Sequence, residues 1–357
     1  MRARFAVLSD AERERIHRDS LKILAEVGVR FPSARARKLL AAHGASVDEG
    51  ERIARIPAGM VDQALRTAPK AFTLGARNPA FDFPVPSPWT GYTLDGEATF
   101  ALDFETGERR NGLTRDLVDS LRIFEALPLG TVIWPNVMLS DIPLASANIR
   151  VTCLSLLHGS KHVQHEINHP AEVPFLVEAL RAVLGSEEAV RRRKIFSVTY
   201  CTIPPLTHDE AMCDACLELA QFHVPILPYP MPACGSTGPA SLYSDIAVAN
   251  AESLSALVLF QAAAPGTPIL LGHAAGIMNF GSGGFVEGAP ESNLLNTGLG
   301  EMARFYGLPN TQAGCLTDAK APGPQAVLEK MVTTLPLVLS GADVITGLGE
   351  IEPSQLL

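Results

Sequence analysis

From Thr114 onward the chain repeats one pattern: a short apolar stretch, a polar junction and then a helical segment. Short apolar strands that alternate with helices are typical of a parallel sheet covered by helices on both faces. Seven such units in succession favour a (β/α)8 barrel over a doubly wound sheet. The strands are expected at 131–139, 162–167, 195–202, 225–230, 268–273, 311–316 and 343–347.

The first 112 residues do not follow this pattern, and we predict that they form a cap of helices and a β-hairpin. Helices are expected at 10–27, 33–43 and 57–67, while 91–110 alternates apolar and polar residues as a hairpin does. The chain therefore divides into a cap, 1–112, and a TIM-type barrel, 113–357. The eighth barrel unit is predicted to be missing or supplied elsewhere. Either an element of the N-terminal region closes the barrel or the chain is shortened.

Composition restricts the class of protein. The net charge is −9, and no Lys/Arg run is longer than Arg191–Lys194, so a nucleic-acid partner is not expected. The N-terminus lacks the pattern of a signal peptide, and the apolar stretch 254–264 is too short to cross a bilayer. Six unevenly spaced cysteines do not form a disulfide framework. We therefore expect a soluble cytoplasmic protein without a membrane partner, and its apolar helices suit a homo-oligomer.

Two groups of residues raise the possibility of metal chemistry. Cys213 and Cys216 lie one helical turn apart, but free cysteines in such helices are more often buried. A second group is His158, His162, His165 and His169. Because Gly159 breaks the helix, 161–167 is read as a strand on which His162, Gln164 and Glu166 share one face. A polar strand end at the barrel mouth is favoured, and a metal-dependent barrel hydrolase remains an alternative.

The carboxyl ends of the expected strands carry the residues with chemical potential. In a barrel, the active site lies at this end of the strands. Aromatic and acidic side chains gather there, and this combination can hold a quaternary or tertiary ammonium group through ring faces and opposite charge. The strand-end residues are Trp134, Asn136, Gln164, Glu166, Tyr200, Cys201, Tyr229, Met231, His273, Gln312, Cys315, Thr317, Asp318 and Glu350.

Two of the strands end in glycine-rich polar loops, 231–239 and 313–322. Glycine lets a ligand approach the backbone closely at such a junction. Gly235, Gly238 and Gly314 are therefore candidates for contact with a cofactor.

These loops and the segments around them resemble the trimethylamine methyltransferase family of corrinoid-dependent enzymes. The resemblance runs from about 204 to 350. It implies a (β/α)8 barrel that transfers a methyl group from a methylated amine to Co(I) of a corrinoid (cobalamin) carried by a separate partner protein. No tightly bound cofactor is then expected. The matching segments are PPLTHDE (204–210), MPACGSTGP (231–239), ANAE (249–252), GAPESN (288–293), ARFYGLP (303–309), LTDAK (316–320), Gln325 and LSGAD (339–343).

The resemblance also narrows the expected substrate. Family members that act on trimethylamine carry a pyrrolysine near the strand end at 314–318, where this chain has only ordinary residues. The chain is thus similar to the non-pyrrolysine branch, which is associated with quaternary amines such as glycine betaine, proline betaine or carnitine. A non-catalytic amine-binding paralogue is the other alternative.

The candidate site residues follow from this reading. Asp318, Glu350 and Glu166 are candidate catalytic carboxylates that balance the ammonium charge. An aromatic cage is predicted from Trp134, Tyr200, Tyr229 and Phe280. His273 and Gln312 are predicted to bind the carboxylate or other polar end of the substrate. We expect the N-terminal helices and the strand-end face to dock the corrinoid protein.

Overall fold

The computed structural model describes residues 4–352 and 354–357, and within them eight parallel strands form a nearly closed barrel. Strands β1 to β5 pair in chain order, as do β6 to β8, and β8 returns to pair with β1. A bridge between Ile226 and Ile269 joins the two ends of the sheet. The predicted (β/α)8 fold is confirmed. The strands are β1 (Gly91–Leu94), β2 (Gly130–Ile133), β3 (His162–Glu166), β4 (Phe196–Tyr200), β5 (Ile226–Pro228), β6 (Leu271–His273), β7 (Asn310–Ala313) and β8 (Val344–Leu348).

The hairpin prediction for 91–110 was wrong in its first half. Gly91–Leu94 is the first barrel strand and pairs with both β2 and β8. Only Phe100–Leu102 and Arg109–Asn111 form a hairpin. An element of the N-terminal region therefore supplies the eighth strand, and it lies before the predicted boundary at 112/113. Alternation along four residues does not distinguish a hairpin strand from a barrel strand, because the difference lies in the distant pairing partner.

Helices alternate with the strands and cover the outside of the barrel. The first begins with a capping box, in which Ser9 and Glu12 satisfy each other's backbone N–H groups. The helices are α1 (Asp10–Lys22), α2 (Ala34–Ala42), α3 (Ala58–Thr67), α4 (Thr114–Ala126), α5 (Ala147–His158), α6 (Val173–Leu184), α7 (Glu187–Arg193), α8 (Glu210–Ala220), α9 (Leu242–Ala263), α10 (Pro290–Phe305) and α11 (Pro324–Ser340).

Short strands outside the barrel close its lower end and support the cap. The pair Phe72–Leu74 and Phe83–Val85 packs against inward-facing Val132, Leu270 and Val344. These contacts fill the bottom of the interior and leave the polar end at the top. The other short strands are Val29–Arg30, Ser46–Asp48, Ile53–Arg55, Thr202–Ile203, Thr207–His208, Ala233–Cys234, Gly276–Met278 and Phe285–Val286.

The helix α9 is long and apolar enough to cross a membrane by length and composition. It is longer than the apolar stretch 254–264 on which the sequence argument depended. However, 83% of its most apolar window is buried inside the protein, as in the core helix of a globular domain. Leu254, Leu257 and Phe260 are completely enclosed, and α1 and α3 pack against the same helix.

Candidate active site at the barrel mouth

Two buried aromatic rings pack edge to face inside the top of the barrel. Trp134 follows β2 and Tyr229 follows β5, and their ring centroids lie 5.5 Å apart at an angle of 79°. The Trp134 indole Nε1 donates a hydrogen bond to Glu166 Oε2 at 3.2 Å. The Tyr229 hydroxyl lies 2.9 Å from Thr346 Oγ1 on β8. Both rings are therefore held in one orientation by polar partners.

The two rings fit in the barrel because two residues packed against them are glycines without side chains. A Cβ atom at Gly96 would come within 2.7 Å of the Trp134 indole, and one at Gly272 within 2.5 Å of the Tyr229 ring. Real Cβ atoms do not approach other atoms so closely, so a larger residue at either position would displace a ring.

Glu166 Oε2 also contacts a buried histidine. His165 Nδ1 lies 3.1 Å from Glu166 Oε2, and its Nε2 lies 3.5 Å from Glu97 Oε1. Burial by itself would lower the pKa of His165, but Glu166 and Glu97 outweigh burial and the net shift is upward. Burial in turn raises the pKa of Glu97. The two carboxyl groups thus favour the protonated imidazole relative to burial alone, although neither ring nitrogen makes a hydrogen bond of normal geometry with the described residues.

Three further carboxyl groups form an acidic cluster beside the aromatic pair: Asp95, Glu287 and Glu350. Ser354 Oγ connects the first two, lying 2.6 Å from Asp95 Oδ2 and 3.3 Å from Glu287 Oε2. Burial, reinforced by Asp95 and Asp318, raises the pKa of Glu287 to about 8. Burial also raises the pKa of Asp95 and Glu350. Without a cation, Glu287 is therefore mostly neutral near pH 7, and burial disfavours the charged forms of Asp95 and Glu350.

Lys330, on α11, is a largely buried lysine that interacts electrostatically with this acidic cluster. Its Nζ donates hydrogen bonds to the backbone carbonyl oxygens of Cys315 and of Gly347, the latter at 3.3 Å. Burial lowers the pKa of Lys330, partly opposed by the nearby acids. The ammonium group is therefore held by the backbone.

The barrel interior contains polar atoms that have no hydrogen-bond partner among the described residues. On β3 and β4 such residues alternate with Val163 and Val198, which pack on the helix side, so they point inward. Buried polar atoms without partners indicate space for water or a polar ligand. The atoms are Thr93 Oγ1, Asn136 Oδ1, Gln164 Nε2, Thr199 Oγ1, Thr311 Oγ1 and both carboxylate oxygens of Glu350.

Three predicted substrate-binding residues do not line this interior. The Tyr200 hydroxyl lies 2.7 Å from His208 Nδ1, and its ring packs against Phe260 of α9. His273 Nε2 lies 2.9 Å from Ser253 Oγ on α9. Gln312 packs beside Gly300 of α10. All three lie in the helix layer, because neighbouring residues of a strand point to opposite faces.

Asp318 and Phe280 also occupy positions other than those predicted. Asp318 accepts hydrogen bonds from the backbone N–H groups of Glu287, at 3.1 Å, and Gly288, at 3.0 Å. It thereby positions Glu287 rather than facing the rings. The Phe280 side chain is 75% exposed and lies over Gly235. Of the predicted site residues, the mouth brings together Trp134, Tyr229, Glu166 and Glu350.

The three candidate cofactor glycines are packed by the protein itself. Gly235 lies under the Phe280 ring and Gly238 against Asp245 Oδ1. A Cβ at Gly314 would come within 2.8 Å of both Ile345 and Leu337. Close packing between elements, rather than space for a ligand, explains glycine at these positions.

The four histidines at 158–169 do not converge. His162 Nδ1 lies 2.8 Å from Gly75 O and its Nε2 2.8 Å from Ser197 Oγ, while His169 caps the turn Pro170–Glu172. Burial lowers the pKa of His162 to about 4. Within residues 4–352 and 354–357, no three or more His, Cys, Asp or Glu side chains are grouped to hold a metal. Cys213 and Cys216 are buried in α8.

Several residues of the mouth were missed by the sequence argument: Asp95, Glu97, Glu287, Lys330 and Ser354. Recognition of Gly91–Leu94 as a strand would have placed Asp95 and Glu97 at a strand end. Glu287 immediately precedes the GAPESN segment, but nothing local shows that its loop folds over the barrel. Lys330 lies in a helix, and only tertiary packing turns it toward the acids.

Comparison with known proteins identifies the family. Residues 1–348 match the model of the trimethylamine methyltransferase family. The trimethylamine methyltransferase MttB of Desulfitobacterium hafniense strain DCB-2 is 29% identical over 97% of this chain and 70% of its own length. The glycine betaine methyltransferase of D. hafniense strain Y51 is 27% identical over 96% of this chain and 71% of its own length.

Solved structures agree on the fold. The monomethylamine methyltransferase MtmB of Methanosarcina barkeri superposes with a TM-score of 0.62 at 12% identity, over 99% of this chain and 70% of its own. A dihydropteroate synthase of Yersinia pestis gives a TM-score of 0.50 at 14% identity, over 80% and 94% respectively. The family match extends over nearly the whole chain, beyond the resemblance seen in the sequence from about 204 to 350. The chain therefore belongs to the trimethylamine methyltransferase family.

Proposed function

We propose that this protein transfers a methyl group from a quaternary ammonium compound, with glycine betaine as the example suggested by sequence, to the Co(I) centre of a corrinoid held by a separate protein in the cytoplasm. The observation that supports this most is the Trp134–Tyr229 pair beside Glu166. Family membership supports methyl transfer, and two relatives carry the names trimethylamine and glycine betaine methyltransferase.

The mouth has the chemistry that a quaternary ammonium group requires. Such a cation has no N–H to donate, so it is held by aromatic faces and by opposite charge. Trp134 and Tyr229 are 4% and 3% exposed, so a cation held against the free face of either ring would lose most of its water. Glu166 supplies negative charge, and the acidic cluster can ionise when a cation binds. Fixing and desolvating the cation in this way orients one N-methyl group for transfer.

The residues of the mouth are compatible with an external methyl acceptor. The corrinoid supplies Co(I), which accepts the methyl group while the N–C electron pair stays with the departing tertiary amine. Burial, with Glu166 nearby, raises the pKa of the Cys201 thiol well above its usual range. Cys201 therefore remains a neutral thiol and does not compete for the methyl group.

The residue composition near β7 favours a quaternary over a tertiary amine. Residues 314–318 are ordinary amino acids, so no special side chain there activates a tertiary amine. A quaternary nitrogen already carries the positive charge that makes its amine a good leaving group. We therefore place trimethylamine second among the substrates.

Methyl transfer to free cobalamin tests this proposal. The purified protein is mixed with chemically reduced Co(I) cobalamin and a panel of methylated amines, and the loss of Co(I) absorbance is followed. Mass spectrometry checks that the demethylated amine forms in equal amount. Consumption with a quaternary amine, strongly reduced at low substrate concentration by Trp134→Ala and retained by Trp89→Phe, is expected. Tight binding by the folded protein without any turnover would instead identify a non-catalytic amine-binding paralogue.

A further inference from the structure

We infer that the substrate is a quaternary ammonium compound with a net positive charge and no carboxylate, of the choline type, rather than a zwitterionic betaine. This inference rests on the proposed function and selects among its substrates. It follows from the excess of acidic groups around the aromatic pair. It also follows from the engagement of the nearby basic groups, among the described residues, in other contacts that leave them unable to bind a carboxylate.

The mouth is strongly acidic. Asp95, Glu97, Glu166 and Glu350 lie at the carboxyl ends of three barrel strands, and Glu287 lies in the loop that folds over them. Glu166 accepts a hydrogen bond from the Trp134 indole, and Ser354 connects Asp95 with Glu287. Among the described residues around the rings, the basic groups are His165 and Lys330. Acidic groups therefore outnumber basic ones.

Both basic groups are already engaged. Lys330 Nζ contacts the carbonyl oxygens of Cys315 and Gly347. His165 is flanked by Glu166 and Glu97 at 3.1 and 3.5 Å. A substrate carboxylate would have to displace one of these contacts and then lie beside the remaining acids. A substrate carboxylate would oppose ionisation of these acids, whereas a cation would favour it, so the site favours a ligand with net positive charge.

The residues expected to bind a substrate carboxylate face away from the site. His273 contacts Ser253 on α9, and Gln312 packs against α10. Burial lowers the pKa of His273 to about 3, so its ring is neutral near pH 7. Neither side chain provides an anion site at the mouth.

Glu350 is the independent sign of a missing cation. It is 3% exposed, and neither carboxylate oxygen has a hydrogen-bond partner of normal geometry among the described residues, because the nearby Ala98 N–H is donated to Asn136 O. A buried carboxylate without a partner is unfavourable unless a positive charge balances it. The acids are not grouped to hold a metal in the described part of the chain, so an organic cation suits them better.

Calorimetric binding in two buffers with different ionisation enthalpies tests the inference. Choline, tetramethylammonium, glycine betaine and carnitine are compared at pH 7.5 with the full chain. We expect choline and tetramethylammonium to bind roughly tenfold or more tightly than the two betaines. Proton release should accompany binding of the cations, because a permanent positive charge ionises the neighbouring acids.

Substitution of the acidic residues tests whether they cause the preference for choline over glycine betaine. Glu350→Gln should weaken choline binding several-fold and reduce the preference over glycine betaine. Glu287→Gln gives the same test if Glu350→Gln does not fold. The matched control is Glu188→Gln, whose side chain is 86% exposed on α7; it should leave binding unchanged.

The possible failures are distinguishable. Glycine betaine bound as tightly as choline, or an unchanged preference in both folded mouth variants, overturns this inference and leaves methyl transfer standing. If the folded protein binds none of the four compounds, the inference and the proposed function fail together.

Discussion

At the scale of single residues, Glu166 connects the aromatic ring to the charge of the site. Its Oε2 accepts a hydrogen bond from the Trp134 indole and contacts His165 Nδ1. The indole cannot rotate without losing this bond in a buried position, where an unsatisfied N–H is unfavourable. The same oxygen thus fixes the ring face and supplies negative charge to its edge.

Trp134→Ala should weaken choline binding by roughly tenfold, because it removes the better cation–π partner from a desolvated site. Calorimetry measures the affinity. Trp89→Phe is the matched control, since Trp89 packs on Phe83 at the bottom of the barrel. Equal affinities of the two variants would contradict the cage.

The affinity for choline should increase with pH. The pKa of Glu287 is about 8, so this group is protonated and neutral below that pH and negative above it. Asp95, Asp318, Glu350 and Lys330 are the charged groups that influence it. Binding favours the ionised form, so the association constant should increase from pH 6 to about 8 and then level off.

Calorimetric titrations at several pH values give this profile. Glu287→Gln should flatten it, because glutamine does not ionise. A profile that keeps its full slope in this variant would assign the titration to another group.

At the scale of secondary-structure elements, alternation along β4 separates two roles. Tyr200 points outward and connects β4 through His208 to Ser255 of α9, with distances of 2.7 and 2.8 Å. Its neighbour Cys201 packs toward Trp134 and Tyr229. Two adjacent residues therefore have different roles: Tyr200 stabilises the helix layer, and Cys201 lies near the site.

Tyr200→Phe should lower the free energy of unfolding by about 1–3 kcal/mol, because it leaves His208 Nδ1 buried without a partner. Choline affinity should remain unchanged. Urea denaturation and calorimetry measure the two quantities. Tyr243→Phe, which loses a partly exposed bond to Asp19, should cost less. If the folded Tyr200→Phe variant bound choline more weakly, Tyr200 would belong to the aromatic cage and this prediction would be wrong.

Gly314→Ala tests the packing of β7 against α11. The new Cβ would lie 2.8 Å from Ile345 and Leu337 and 3.0 Å from Thr333 O, so overpacking should cost about 1–3 kcal/mol of stability. Gly59→Ala in α3 meets no atom within 4 Å and should be neutral or slightly stabilising. Thermal unfolding compares them. An unaltered Gly314→Ala would show that the interface has room.

At the scale of the whole molecule, α11 presents an uncharged apolar surface. Its acidic and basic residues, Glu329 and Lys330, are turned toward the barrel by bonds to Asp318 N and Cys315 O. Exposed apolar patches of this kind mark contact surfaces. The patch consists of Val327, Leu328, Met331, Val332 and Leu335.

The expected homo-oligomer should form through this patch. Substitution of Met331 and Leu335 together by Glu should convert the oligomer to a monomer, because two charges would be buried without partners at the interface. Light scattering coupled to size exclusion measures the mass, and circular dichroism checks the fold. Phe104→Glu is the control, since Phe104 is fully exposed elsewhere. A wild-type monomer, or a double variant that stays oligomeric, would contradict this prediction.

Local patterns and the family resemblance in the amino-acid sequence were enough to predict the barrel class, most helix and strand positions, and the family. Hydrophobic periodicity, helix caps and glycine-rich strand ends are local patterns, so they can be read without knowing which residues meet. The same patterns placed Trp134, Tyr229, Glu166 and Glu350 at strand ends, where the structure brings them together. Their roles in binding stay predictions.

The set of side chains that share the mouth depends on contacts between distant segments and could not be predicted from local patterns. Gly91–Leu94 became a barrel strand through pairing with β8, about 250 residues away along the chain. Tyr200, His273 and Gln312 turned outward because each strand's register determines which of two adjacent residues faces inward. Asp95, Glu287 and Lys330 come from three distant segments. Their burial shifts the pKa of each in the direction of its neutral form. Such contacts depend on packing between elements, and local periodicity carries no information about it.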